Sequence, residues 1–185
     1  IDKELIIGKY TESNVVNYNA IYASTSSHTT VEPIKHNYTI IGSKSVEINN
    51  KIYIFGGSID QPPGRNDMYL NYLYEFNPTT CNLAKIDLIS INEYESNVPS
   101  GRTDYSMVAI ESNIYIFGGY NGTDTYLGDF YKIETNNTTS NYSTKIELQP
   151  IDGNDSNIPS IRKNHSMVAI ESNIYIYLVV ILIVL

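Results

Sequence analysis

The chain has no tryptophan, a single cysteine and four phenylalanines in 185 residues, and nowhere do lysine and arginine cluster. One thiol, Cys81, excludes an intrachain disulfide and a cysteine cage for a metal, and it fits a reducing compartment. Twelve basic against twenty acidic side chains leave a net charge of −8. A phosphate-backbone binder needs the opposite balance, so nucleic acid is not an expected partner. No stretch repeats its apolar residues at the helical period, and no charged-then-apolar leader opens the chain. What is present is a globular balance of 42% hydrophobic and 17% charged residues, with seventeen tyrosines. The expected compartment is the cytosol. An extracellular alternative rests on the N-x-[ST] acceptors Asn37, Asn121, Asn136 and Asn164, which a chain rich in Asn, Ser and Thr also produces by chance.

Self-similarity is the dominant signal. Gly101 opens GRTDYSMVAIESNIYIFGGY, which returns sixty residues later as IRKNHSMVAIESNIYIYLVV, with Ser106–Ile116 and Ser166–Ile176 identical. An earlier copy, KSVEINNKIYIFGG, places Gly56 and Gly57 sixty-two residues before Gly118 and Gly119. Each copy reads as strands. In KIYIFGG, Ile52 and Ile54 alternate with Tyr53 and Phe55, so both faces are apolar and both must be covered. SMVAI before it, joined through a short polar turn, makes a hairpin. NYLYEFNPTT and NLAKIDL supply a third and a fourth strand, and DFYKIE and STKIEL take those places in the next unit. Four strands per unit at a period near sixty favour a radial or stacked array of sheets. A glycine pair ending a strand gives room where another backbone approaches and allows positive φ.

The order P-x-x-R, His/Tyr-Ser, apolar strand, I-Y-I-F-G-G, variable loop and aromatic strand, over about residues 36–177, resembles the kelch repeat. The residues carrying it are Tyr53, Gly56 and Gly57, then Pro99, Arg102, Ser106, Tyr115, Gly118 and Gly119, then Pro159, Arg162, His165, Ser166 and Tyr175. The resemblance implies an all-β fold, an incomplete kelch-type β-propeller of four-stranded antiparallel blades. Repeats would occupy 36–95 and 96–155, and 156–185 would begin a further one. Residues 1–35 read either as the end of a preceding blade, with IYASTSSHTTVEPI as its third and fourth strands, or as a loose segment. Arg102 and Arg162 would serve contacts between blades rather than a ligand. The family's late tryptophan is missing: Leu83 stands near its place in one unit, and Tyr142 or Thr144 in the next. So few repeats do not close a ring, so further blades are needed and the segment alone is expected to be marginal, aggregating or oligomeric.

The second copy departs after Ile176, where YLVVILIVL replaces F-G-G-Y. That run is too short for a membrane span and hazardous as an edge strand. Written with T-rich codons and displaced by two inserted bases, Phe-Gly-Gly-Tyr is read as Tyr-Leu-Val-Val-Ile, matching Tyr177–Ile181. A frameshift is therefore the preferred reading, beside a truncated span or a true strand, and a membrane is not an expected partner.

No catalytic, cofactor or metal site is expected. His28, His36 and His165 lie far apart, His165 interchanges with Tyr105, and no nucleophile elbow or phosphate loop is present. Asp60, Asp67, Asp124 and Asp129 read as solvated loop charge rather than acid/base pairs or cation ligands. The expected function is a non-catalytic scaffold that binds a partner protein of unknown identity through its inter-strand loops. Ubiquitin-ligase adaptor, cytoskeletal and GTPase-effector roles are those the resemblance implies. Contact candidates are Arg65, Tyr69, Tyr120 and Tyr126, with Tyr72 nearby. A kelch-propeller enzyme, oxidase or sugar-processing, and a membrane-anchored ectodomain are the rival classes.

Overall fold

A computed structural model describes residues 3–12, 15–25, 40–59, 68–90, 97–122, 126–135, 141–150 and 158–177, the first two segments by their backbone. Every regular element among them is a strand. In chain order these are β1 (Lys3–Glu12), β2 (Val15–Thr25), β3 (Ile40–Ile41), β4 (Lys44–Ile48), β5 (Lys51–Phe55), β6 (Ser58–Ile59), β7 (Met68–Tyr69) and β8 (Leu73–Asn77). There follow β9 (Asn82–Ile86), β10 (Leu88–Ser90), β11 (Ser106–Ile110), β12 (Asn113–Tyr120), β13 (Tyr126–Glu134), β14 (Asn141–Ile146), β15 (Ser166–Ile170) and β16 (Asn173–Tyr177). The described residues hold no helix long and apolar enough to cross a membrane.

The repeat units become blades. Blade one is the antiparallel sheet β4-β5-β8-β9, and the second repeat places β11-β12-β13-β14 in the same antiparallel order. The third copy supplies the hairpin β15-β16, in the same register as β11-β12. Local chemistry sets the turns. Asn49 and Asn50 join β4 to β5 with φ of 52° and 63°, a region that asparagine tolerates. Between β8 and β9 the Asn77 side-chain oxygen accepts from the Thr79 and Thr80 amides at 2.9 and 3.3 Å, an Asx turn built around Pro78.

Two features go beyond four antiparallel strands. After β9 the chain crosses over, and β10 pairs in parallel with β14, the outermost strand of the next blade. Ser143 on β14 is fully buried and donates at 2.6 Å to the carbonyl of Asn97, fixing the linker that follows β10. Near the chain start, β1 and β2 form their own antiparallel pair, with a register irregularity between Gly8 and Tyr10. β12 and β13 show the same kind of irregularity between Phe117 and Gly119.

The blades stack with a polarity. The innermost strands β4, β11 and β15 are neighbours, β11 touching both of the others. In the core, Tyr53 and Phe55 of blade one pack with Ile114, Ile116, Tyr131 and Ile133 of blade two. On the other face of blade two, Phe117 meets His165 of the third unit, ring centroids 5.3 Å apart. Along β12, Ile114 and Ile116 thus face the preceding blade and Phe117 the following unit. The ends of the stack register the difference. Ile114 and Ile116 are wholly buried, whereas the identical Ile174 and Ile176 are half-buried, and Tyr175 and Tyr177 stand 51% and 49% exposed.

This contrast makes Ile116→Ala and Ile176→Ala a matched pair within one repeated sequence. Urea unfolding should show a loss of about 2–5 kcal/mol for the former, which empties a filled core, and a small fraction of that for the latter. Equal losses would contradict the stacking polarity.

Candidate functional site

The junction between blades is built on the glycine pair. Gly57 donates its amide to the Arg102 carbonyl at 2.9 Å, and Gly119 donates to the Arg162 carbonyl at 2.9 Å. The arginine amides in turn donate to the Leu70 and Leu127 carbonyls at 3.3 and 3.0 Å. Each P-x-x-R segment is therefore clipped, backbone to backbone, onto the blade before it. The first glycine of each pair, Gly56 or Gly118, has φ 64°. A Cβ there would lie 2.9 or 2.7 Å from the arginine carbonyl and 3.2 or 3.0 Å from the ring of Tyr105 or His165. Glycine is required on both counts, backbone conformation and space.

The Tyr105 hydroxyl donates to the Phe55 carbonyl and accepts from the Lys44 amide at 3.0 Å, linking blade two to blade one. Burial holds its phenol well above the usual range, so it stays neutral. At the next junction His165 fills this slot, with Nε2 2.6 Å from Ser106 Oγ and Nδ1 buried without a partner among the described residues. Burial first, and then the positive charge of Arg162, lower the pKa of His165 below the ordinary histidine value.

Arg102 adds the charged element. It is fully buried and donates to Asp129 through both terminal nitrogens, Nη1 to Oδ1 at 2.6 Å and Nη2 to Oδ2 at 2.9 Å. Nη1 also donates to the Gly118 carbonyl at 2.9 Å, and Nε and Nη2 to the Ser100 carbonyl and hydroxyl at 3.0 and 3.2 Å. Its backbone grips blade one while its guanidinium grips blade two. The expectation that Asp129 is solvated loop charge is corrected here: it lies on β13 and is committed to Arg102. Among the described residues no three His, Cys, Asp or Glu side chains gather at one point.

Steric fit is exchanged between junctions. Gly101 abuts the Tyr69 carbonyl so closely that a Cβ would lie 2.2 Å from its oxygen, yet the repeat places Ile161 at that position. Opposite Ile161 the blade carries Gly128, where a Cβ would lie 2.7 Å from the isoleucine methyl. One junction has its small residue on the linker and the other has it on the blade.

On the rim beyond the glycines, three of the sequence-predicted contact residues converge. Tyr69 on β7 meets Tyr120 edge-to-face at 5.7 Å, and Tyr120 meets its cross-strand partner Tyr126 at 6.2 Å. Thr103 from the linker bonds both ways with Tyr120, each bond 2.9 Å, and holds that strand end in place. Gly122 lies against the Tyr69 ring, where a Cβ would be 2.3 Å from a ring carbon. The Lys163 ammonium sits 5.1 and 5.0 Å from the Tyr120 and Tyr126 ring centroids. Tyr126 is 46% exposed. The rim is thus a row of tyrosines drawn from two blades and capped by a cation from the linker of the third unit.

Arg65 lies outside the described residues, as do Asp60, Asp67, Asp124, His28, His36, the acceptors Asn37 and Asn136, and the tail after Tyr177. Tyr72 stands apart from the row, under the Lys85 ammonium at 3.8 Å. Tyr115 stacks on Phe130 at 5.9 Å, Pro99 is buried in the junction, and Pro159 and Tyr175 hold the corresponding positions at the more exposed third unit. Two functional groups escaped sequence reading, Asp129 as the partner of Arg102 and Lys163 on the rim. The one available signal for Lys163 was its place next to Arg162 in the repeat, where the sister copy has Thr103.

A family model described as the KLHDC2/KLHL20/DRC7 Kelch-repeats domain matches residues 11–177. The chain is also similar to Tip elongation aberrant protein 3 of Schizosaccharomyces pombe (strain 972 / ATCC 24843), 24% identical over 157 residues, which are 74% of this chain. The match spans 13% of that relative's length.

Two measurements probe the junctions. Arg102→Met should destabilise the chain by about 3–5 kcal/mol in urea, because it strands a carboxylate, and Arg102→Met with Asp129→Leu should recover much of the loss. No recovery would mean that the pair is not the source of the effect. For His165, the unfolded state takes up a proton below about pH 6.5 while the folded state resists until lower pH. Within that window the unfolded chain binds more protons, so stability falls as pH falls from about 6.5. His165→Tyr removes this term, so the stability of the variant minus that of the parent should rise from pH 7.5 to 5.5; a constant value would sink the assignment.

Proposed function

Because the chain belongs to the kelch-repeat β-propeller family, we propose that it is a non-catalytic scaffold whose glycine-end rim binds a partner protein through Tyr69, Tyr120 and Tyr126 with Lys163. The observation that carries this reading is the convergence of those four side chains from three repeat units into one row. Rigid aromatic side chains lose little conformational entropy on binding and offer both an apolar face and a hydroxyl, which suits them to anchor a protein contact. The blades beneath hold the row from below: strand pairing sets the spacing of Tyr120 and Tyr126, and the interblade clip brings Tyr69 beside them. Loops on a rigid sheet scaffold are where such contacts concentrate. The use of Asp129 by Arg102 favours binding over the enzyme alternative, because it takes one carboxylate out of any acid/base pair at this rim.

A photo-crosslinking amino acid placed at Tyr126 in the full-length protein, in its own cells, tests this. Thr80, exposed in the turn at the opposite end of blade one, is the control position. Crosslinking to a discrete protein is expected from position 126 and not from 80, and Tyr69→Ala should weaken it severalfold without changing the circular dichroism spectrum. Equal crosslinking from both positions overturns the proposal.

A further inference from the structure

The two junctions share one clip and differ in the side chain that fills the slot beside it. At the first, Tyr105 presents a neutral phenol, bonded to the Phe55 carbonyl and the Lys44 amide. At the second stands His165, the one histidine among the described residues. Its ring is buried against Gly118, where a Cβ would lie 3.0 Å from Cε1, and it meets Phe117 edge-to-face at 5.3 Å. Nε2 lies 2.6 Å from Ser106 Oγ, whereas Nδ1 has no partner among the described residues. A neutral imidazole carries one proton, which Nε2 can hold. An imidazolium carries two, and the second would be a buried N–H at Nδ1 with nothing to accept it. The charged groups acting on the ring also oppose a positive charge: Arg162 on its own linker and Lys44 from β4 are both cations. From β11 and β12 it meets only the Ser106 hydroxyl and the Phe117 ring and backbone. Asp104 enters the junction through its carbonyl, which accepts from the Asn164 amide at 2.9 Å.

We propose that the linker carrying His165 is a pH-operated latch on the tyrosine rim: a proton on His165 opens the linker from blade two and lifts Lys163 off the rings of Tyr120 and Tyr126, while the Tyr105 junction stays shut. The lever is short. Lys163 lies two residues before His165, and three main-chain bonds bracket it: Gly119 to the Arg162 carbonyl, Arg162 to the Leu127 carbonyl, and Asn164 to the Asp104 carbonyl. Burial and Arg162 make the closed junction resist the proton, whereas a released histidine takes it up at its ordinary pKa of about 6.5. The latch is therefore shut at pH 7.5 and loosens as pH falls through about 6.5, with the open form favoured at most about tenfold by pH 5.5. Opening uncovers the two ring faces that Lys163 caps and withdraws a positive charge from them. That this regulates partner binding rests on the rim reading, but the opening itself does not, so crosslinking at Tyr126 and the experiment below fail separately.

The test is amide hydrogen exchange in the 185-residue chain at pH 7.5 and 5.5, each rate taken relative to an unstructured chain at the same pH. Protection of the Gly119, Arg162 and Asn164 amides is expected to fall severalfold on acidification, at most about tenfold. Gly57 and Arg102 at the other junction, whose local opening leaves His165 buried, should keep theirs. Two variants remove the titration: His165→Tyr, which copies the other junction, and His165→Gln, which keeps a polar side chain. Both should abolish the loss, with protection across β11–β14 showing that each is folded. A loss that persists in a folded variant, an equal loss at Gly57 and Arg102, or no loss at Arg162 and Asn164 in the parent overturns the latch.

Discussion

A carbonyl oxygen seated on a glycine amide is the contact on which this stack of blades depends. Wherever a P-x-x-R linker crosses the end of the preceding blade, the arginine carbonyl reaches the second glycine of the pair, and the first glycine leaves room for an aromatic ring beneath. Any side chain at Gly56 or Gly118 would meet that carbonyl inside 3 Å and also require a left-handed backbone. Because the clip is made by main-chain atoms, its geometry is insensitive to which residues flank it. That is how the slot beside it can hold Tyr105 at one junction and His165 at the next.

With the blades clipped, the period-two alternation along each strand acquires a direction. Along β12 the isoleucines look back toward the previous blade and Phe117 looks forward to the third unit, so one repeated strand presents two different faces. The Arg102–Asp129 pair has its arginine end where this packing has excluded water, while the Asp129 side chain keeps 20% exposure. There it contributes geometric constraint more than net stability, since the desolvation of a buried charge offsets much of its attraction. The third unit carries the same linker and the same strands, with fewer of their contacts filled: Arg162 keeps its serine, Ile174 and Ile176 are half covered, and Tyr175 is exposed.

The tyrosine row follows from the same clip. Tyr120 and Tyr126 are cross-strand partners and would be neighbours in an isolated blade, but Tyr69 belongs to another blade and joins them because the linker holds the two units in fixed relation. Lys163 arrives by the same route from the third unit. A surface composed across repeats is rigid where each repeat alone would not be, and its composition is free to vary from junction to junction.

Much of the architecture was legible in the residues. Alternation in KIYIF, the identity of Ser106–Ile116 with Ser166–Ile176, the Asn-Pro turn and the glycine pair are all local signals, and local strand geometry converts each directly into a blade element. Three members of the rim row were legible too, as tyrosines in or near the loops after Gly-Gly. What the chain alone could not display was how far apart two blades sit and which surfaces meet. That distance pairs Arg102 with Asp129, 27 residues away, lays Lys163 over two tyrosine rings, carries β10 onto the outer edge of the next blade and matches Ile161 to Gly128. Sequence period and alternation thus determined the strands, their order and their recurrence, because those follow from backbone geometry within a few residues. Only the tertiary structure decided the partners across each junction, because they depend on the rigid docking of one blade on another through a contact made by backbone atoms that no side-chain pattern encodes.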